Sequence, residues 1–239
     1  VKLYAHRGLS ARFPENTVAS FRAAREEGCR AAELDVQLTA DGVAVVFHDD
    51  DLVRLAASPV RVDEAVFAAV RLFGVGGHLA PRFAAERIPT LDEALAAWGG
   101  AGEMNVELKG VPAARREALA AAVAAVLARR PGSYTVSSFD WALLRAYRRH
   151  DARTSAGVLF ERGRWADATA AARELGAAAL NCDVRSALPE AVAAARAAGY
   201  EVNVYTVNDA ALARRLAAIG VTGLFTDDEP RLARELERA

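Results

Sequence analysis

Two short apolar stretches carry charged residues at alternate positions. Glu33 and Asp35 are interleaved with Leu34 and Val36, and Glu107 and Lys109 with Val106 and Leu108. Alternate side chains of an extended chain share a face, so each stretch presents its charged pair to one side and its apolar pair to the other. If both stretches belong to one sheet, three carboxylates face a common interior, where like charges are costly to bury without a partner. A divalent cation resolves that conflict. An all-oxygen donor set suits a hard ion such as Mg²⁺ or Ca²⁺, with Mn²⁺ also admissible, better than zinc. The plainer reading gives each acid its own arginine on a rim; the repetition of the spacing on two stretches favours the metal.

Histidine and lysine are scarce enough to be informative. Of four histidines, His6 and His48 each end an apolar stretch and are followed at once by a polar residue, Arg7 and Asp49. Two imidazoles flanking a scissile bond can act as base and acid near neutral pH; two capped, hydrogen-bonded histidines are the alternative. His78 and His150 lack such a setting and are expected on the surface. Positive charge is almost all arginine, with lysine only at positions 2 and 109. Lys2 lies at the terminus, whereas Lys109 beside Glu107 suits a compact charge for a phosphoryl oxygen, or else an ion pair with Glu107.

These groups need a frame that converges them. Short apolar segments alternate with Ala/Leu/Arg/Glu segments of helical periodicity, the pattern of βα units around a parallel sheet. Strands are expected at 2–6, 30–38, 43–48, 104–109, 133–137, 154–159, 178–182, 201–206 and 223–226. Helices are expected at 17–27, 91–98, 113–130, 141–150, 165–175, 188–198, 210–219 and 230–238. The 239 residues suit one TIM-type (β/α)₈ barrel spanning 1–239, which uses eight strands, so one of the nine must do something else. Asp41-Gly42 between segments 30–38 and 43–48 signals a hairpin, since a parallel crossover does not fit there. With Asp41 and Gly42 as the two loop residues, His48 falls opposite Asp35; a turn moved by one residue puts it opposite Glu33. Residues 50–87, with Pro59, Gly74, Gly76, Gly77 and Pro81, fit the alternation poorly and read as a small insertion at the catalytic rim.

Composition narrows the class. Hydrophobic residues at 53% and charged residues at 26% fill a core and still solvate a surface, and a net charge of −1 gives no reason to expect nucleic acid or an anionic membrane as partner. Cys29 and Cys182 match no ligand spacing and read as buried small apolar residues. Segment 1–6 is strand-like, without the charged and apolar regions of a signal peptide, and no long uncharged apolar run marks a stable membrane anchor, so a cytoplasmic location is expected. Nothing in the sequence sets an oligomeric state.

Taken in order, His6-Arg7-Gly8, Pro14-Glu15-Asn16-Thr17, Glu33-Leu34-Asp35-Val36 with the Asp41-Gly42 turn, His48-Asp49, Ile88-Pro89-Thr90-Leu91, Glu107-Leu108-Lys109, Thr206-Val207-Asn208 and Thr226-Asp227 resemble the bacterial glycerophosphodiester phosphodiesterases across nearly the whole chain. The resemblance implies a barrel like that of the phosphoinositide-specific phospholipases C, and hydrolysis of small-molecule glycerophosphodiesters to sn-glycerol 3-phosphate and an alcohol. It implies one divalent cation on Glu33, Asp35 and Glu107, an acid/base pair of His6 and His48, and phosphate held by Arg7 and Lys109. Glu15 would stand at the edge of the site, and Asn16 reads equally well as the cap of the first helix. Where the family usually has Trp before Thr-Val-Asn, this chain has Tyr205, which keeps an aromatic wall for glycerol. The segment Leu52–Ala56 lacks the family's Thr/Gly-rich stretch. Two rivals are a lysophospholipase D or phosphoinositide-type phospholipase on the same barrel, which needs an apolar rim near 50–87, and a catalytically silent phosphodiester-binding barrel.

Overall fold

A computed structural model describes residues 1–238. Among these residues nine strands occur: β1 (Lys2–Ala5), β2 (Ala31–Leu38), β3 (Ala44–Val46), β4 (Glu103–Leu108), β5 (Ser133–Ser138), β6 (Ser155–Phe160), β7 (Ala179–Asp183), β8 (Glu201–Tyr205) and β9 (Gly223–Thr226). Eight run parallel in the ring order β1-β9-β8-β7-β6-β5-β4-β2, and the β1–β2 pairing closes the barrel. Closure is uneven: β2 and β4 share six register pairs and β1 and β9 four, but β1 and β2 meet at one, Ala5 with Ala32. The ninth strand, β3, lies antiparallel on β2 outside the ring.

The hairpin forms, with a different register from the expected one. Val36 pairs with Val46 and Leu38 with Ala44, so Ala40, Asp41 and Gly42 make a three-residue loop and Asp35 lies opposite Phe47. Local hydrogen bonds select this turn. The Thr39 hydroxyl donates to Asp41 Oδ1 (2.6 Å), the Gly42 amide donates to Thr39 O (3.0 Å), and Gly42 takes a left-handed φ of 83°, as three-residue hairpins require. Strict alternation would then turn His48 away from the acids. It reaches them because β3 ends at Val46 and the chain bends at His48.

Helices α1 (Val18–Glu26), α4 (Leu91–Trp98), α5 (Arg116–Arg129), α6 (Trp141–His150), α7 (Trp165–Leu175), α8 (Pro189–Ala197), α9 (Ala210–Ala218) and α10 (Glu229–Glu237) cover the barrel. Their buried faces and the outward faces of the strands form the main core, which includes Phe21, Leu34, Val106, Leu144 and Leu216. Thr17, not Asn16, caps α1, its hydroxyl accepting from the Ser20 amide, and Thr90 with Glu93 forms a capping box on α4. Residues 50–87 hold the short helices α2 (Val53–Ala56) and α3 (Phe67–Val70) and a one-turn helix at Pro81–Phe83. They pack on a separate apolar cluster, with Leu52, Leu55, Val62 and Val70 against Val45 and Phe47 of the hairpin. Cys29 and Cys182 are buried thiols, and His78 and His150 are exposed.

The barrel interior is polar where such barrels usually fill with branched aliphatics. The Asn105 amide donates to Ser137 Oγ (2.9 Å) and the Asn203 amide to Asn181 Oδ1 (3.0 Å). Lys2 is no idle terminal residue: it donates to Glu103 Oε2 (2.7 Å), whose other oxygen accepts from Tyr4 and Thr135 (both 3.0 Å), and this closes the bottom of the barrel.

Candidate active site

At the end of β1 the chain makes two consecutive left-handed residues, Arg7 (φ 55°) and Gly8 (φ 79°). Only glycine fits at position 8, because a Cβ there would stand 2.2 Å from Ser20 Oγ. The turn aims the Arg7 amide at Glu33 Oε2 (3.0 Å), brings its guanidinium against Asp35 (3.2 Å) and Glu15 (2.8 Å), and leaves His6 facing inward.

The three expected metal ligands converge. Glu33, Asp35 and Glu107 each offer an oxygen within 4.8 Å of the others. Their electrostatics differ. Burial, with Asp35 and Glu107 beside it, pushes the Glu33 carboxyl well above the usual carboxylate range, and burial beside Asp35 raises Glu107. Burial pushes Asp35 up too, but Lys109 and Arg7 outweigh it and hold that carboxyl low. Lys109 Nζ sits 2.8 Å from Glu107 and 3.4 Å from Asp35. Asn16, at φ 59°, donates to Asp35 Oδ2 (2.8 Å). Two raised carboxyls in one buried triad fit a site built for a cation.

Both expected imidazoles face the same cavity, about 340 Å³ in volume. His6 Nδ1 lies 2.8 Å from Asp227 Oδ1 and His48 Nδ1 lies 2.7 Å from Asp49 Oδ1. Both carboxyls are held below their usual range, so both accept only, and each Nδ1 carries the proton. Each Nε2 is therefore the exchanging atom; that of His6 lies 3.9 Å from Glu33. Burial lowers the affinity of His48 for a proton, with Lys109 and Arg7 adding to that and Asp35 opposing it. Across the cavity stand Phe139, Leu159, Phe225 and the ring of Tyr205, whose hydroxyl turns away to donate to Phe160 O (3.0 Å). Glu15 is set back from this cavity, with its oxygens occupied by Arg7 and Arg54.

Sequence reasoning quoted Asp49, Asn208 and Asp227 within motifs but gave them no role behind the histidines, and did not name Ser10. Asn208 donates to Asp227 Oδ2 (2.6 Å) and accepts from the Asp227 amide (2.9 Å), and Ser10 donates to Asp227 Oδ1 (3.2 Å). His6 and Asp227 are 221 residues apart and meet only because β1 and β9 are neighbours. The signal available was the polar residue following a strand, Asp227 after Thr226, as Arg7 follows His6.

Comparison with known proteins agrees with the geometry. The model of the glycerophosphoryl diester phosphodiesterase family matches residues 6–229. A glycerophosphodiester phosphodiesterase of Caldanaerobacter subterraneus subsp. tengcongensis is 30% identical over 233 residues, which cover 95% of this chain and 94% of that protein. A phosphodiesterase of Oleispira antarctica, solved in complex with its product sn-glycerol-3-phosphate, superposes with a TM-score of 0.93 at 28% identity, over 99% of this chain and 97% of that one. The glycerophosphodiester phosphodiesterase of Thermotoga maritima gives a TM-score of 0.80 at 26% identity, covering 98% of each chain. With a closed barrel, a buried acidic triad and two imidazoles facing one cavity in the matched span, this chain belongs to the glycerophosphoryl diester phosphodiesterase family and is a phosphoric diester hydrolase.

Proposed function

We propose that the protein hydrolyses glycerophosphodiesters, the deacylated phospholipids, to sn-glycerol 3-phosphate and an alcohol, with His6 and His48 as the proton-transfer pair. The observation that carries this reading is one cavity lined by both imidazoles and by Glu33 and Glu107, with Asp35 buried behind them in the same carboxylate cluster. Glu33, Asp35 and Glu107 would hold one divalent cation, Mg²⁺ or Ca²⁺ by donor type and Mn²⁺ as a further candidate, and a bound cation supplies charge neutralisation at the phosphoryl oxygens. Arg7 and Lys109 add fixed positive charge beside the triad and suit the non-bridging phosphate oxygens. One imidazole takes a proton from the nucleophile and the other gives one to the leaving alkoxide. Where the nucleophile is water the product is glycerol 3-phosphate directly; where it is the glycerol 2-hydroxyl a cyclic glycerol phosphate forms, which water then opens with the two imidazoles in exchanged roles. Asp227 and Asp49 keep both rings in the tautomer that exposes Nε2. Tyr205 offers its ring face to glycerol, and Glu15 acts on substrate through the orientation of Arg7.

In this reading residues 50–87 are an insertion into a single barrel domain, and the enzyme works in the cytoplasm on a small-molecule substrate, not on nucleic acid. No helix among the described residues is long and apolar enough to cross a membrane. One observation favours a second reading, in which an acylated lysophospholipid is the substrate: Val53, Val66, Leu72 and Leu79 on the insertion are exposed. None of them lines the cavity, so the deacylated substrate remains the first reading.

The test is release of glycerol 3-phosphate from a panel of glycerophosphodiesters and one lysophospholipid, with and without chelator, for the wild type and His6→Ala. Chelator and the substitution are each expected to lower turnover by roughly 10²-fold or more. Unchanged rates would overturn the mechanism, and turnover confined to the lysophospholipid would transfer the assignment to the second reading.

A further inference from the structure

Arg54 stands on α2, outside the barrel wall, yet its guanidinium joins two parts of the site. It donates twice to Glu15 (Nη1 to Oε2 2.8 Å, Nη2 to Oε1 2.7 Å) and twice to Asp49 (Nε to Oδ2 2.6 Å, Nη2 to Oδ1 3.1 Å). Each carboxylate has a second duty. Asp49 Oδ1 meets His48 Nδ1 at 2.7 Å, and Glu15 Oε1 accepts from Arg7 Nη1 at 2.8 Å. We infer that Arg54 is a positioning residue that fixes the imidazole of His48 relative to the guanidinium of Arg7 by clamping the two carboxylates that orient them. This inference rests on the proposed function for the roles of His48 and Arg7.

An isolated exposed ion pair contributes little, and the Arg54 side chain is 46% exposed. Four hydrogen bonds from one planar fork to two carboxylates, both far less exposed than Arg54 itself, form a geometry that a lone pair lacks. The clamp also has an anchor of its own. Leu52 and Leu55, on either side of Arg54, are buried in the cluster with Val45 and Phe47, so the backbone of α2 is held by apolar packing and not by the ion pairs. The two histidines are thereby built unlike each other. Behind His6, Asp227 takes its other hydrogen bonds from neutral Asn208 and Ser10, whereas behind His48, Asp49 shares its charge with a guanidinium. Removing that guanidinium leaves Asp49 to His48 alone and Glu15 to Arg7 alone.

The test compares Arg54→Met and Arg54→Lys with the wild type. It reads thermal unfolding, kcat and KM on glycerophosphocholine with Mg²⁺, and ¹⁵N chemical shifts of the imidazoles over pH. For Arg54→Met the expected result is a nearly unchanged Tm and a kcat lower by ~10–100-fold, the scale of a small misplacement of reacting groups, with KM changed much less. The His48 titration should move to higher pH, because an unshared carboxylate favours the imidazolium. Lysine, a point charge without the fork, should restore only part of kcat. Wild-type kcat and an unmoved His48 titration in Arg54→Met would overturn the clamp, as would a kcat loss accompanied by a matching fall in folded protein. If the wild type turns over no glycerophosphodiester, the proposed function falls, and the His48 titration alone decides whether Arg54 holds that ring.

Discussion

At the scale of single residues, each imidazole is prepared by a carboxylate, and the two carboxylates differ in a way that can be measured. Burial pushes the Asp227 carboxyl up, but hydrogen bonds from His6, Asn208 and Ser10 outweigh it and hold it at about 2. An unfolded aspartate titrates near ~3.9. The folded value is the lower one, so the stabilisation is complete above about pH 4 and is lost as pH falls through about 2. With a side chain one-third exposed, the contribution after screening is about 1 kcal/mol. Urea unfolding of wild type and Asp227→Asn should therefore differ by about that amount at pH 6, by roughly half of it near pH 3, and converge towards about pH 2; an equal gap at both ends would refute the assignment. The same substitution should lower kcat by roughly 10-fold or more while leaving KM little changed, because it acts on the orientation and tautomer of His6. Steady-state kinetics on the best substrate of the panel checks this.

At the scale of elements, the βα alternation and the paired acids were readable because period-2 and period-3.6 patterns are local properties of the chain. The Asp41-Gly42 hairpin was readable for the same reason. Its register was not, since a two-residue and a three-residue loop both place Gly42 in a left-handed turn, and only the hydrogen bonds of Thr39 and Asp41 decide between them. Asn16 and Thr17 show the same limit. Both residue types cap helices, and the structure gives the cap to Thr17 and sends Asn16 to Asp35. Thr17→Ala should thus cost about 1 kcal/mol of stability in a chemical denaturation experiment, the usual value of a lost cap. What no local pattern carries is a partner chosen by closure: Asp227 for His6, Arg54 for Glu15, Glu103 for Lys2. The turn after β1 is the most demanding joint. Gly8→Ala combines a left-handed φ with a Cβ pressed on Ser20, and should cost roughly 1–3 kcal/mol. It should also displace the Arg7 amide from Glu33, so activity per folded molecule should fall as well, which thermal unfolding and kinetics on the same sample can separate.

At the scale of the whole molecule, the barrel is held inside by hydrogen bonds as well as outside by apolar packing. Asn203 is buried and links Asn181 to Thr222 across the interior. Asn203→Ala leaves the buried Asn181 Oδ1 without its donor, while Thr222 keeps its bonds to Val202, and should cost about 2 kcal/mol, or roughly 4–8 °C in Tm for a chain of this size, with kcat of the folded fraction nearly unchanged. The single register pair between β1 and β2 has a further consequence. That junction has the fewest rungs in the ring, and across it the Arg7 amide meets the Glu33 carboxylate and the Arg7 guanidinium meets Asp35. If, as proposed, a cation rests on Glu33 and Asp35 and the phosphate bridges it to Arg7, product and cation together lace the two staves at this weakest junction. Deuterium uptake by the amides of residues 4–8 and 31–35 should slow on product binding more than uptake anywhere else in the barrel, and protease resistance of the entire chain should rise with it.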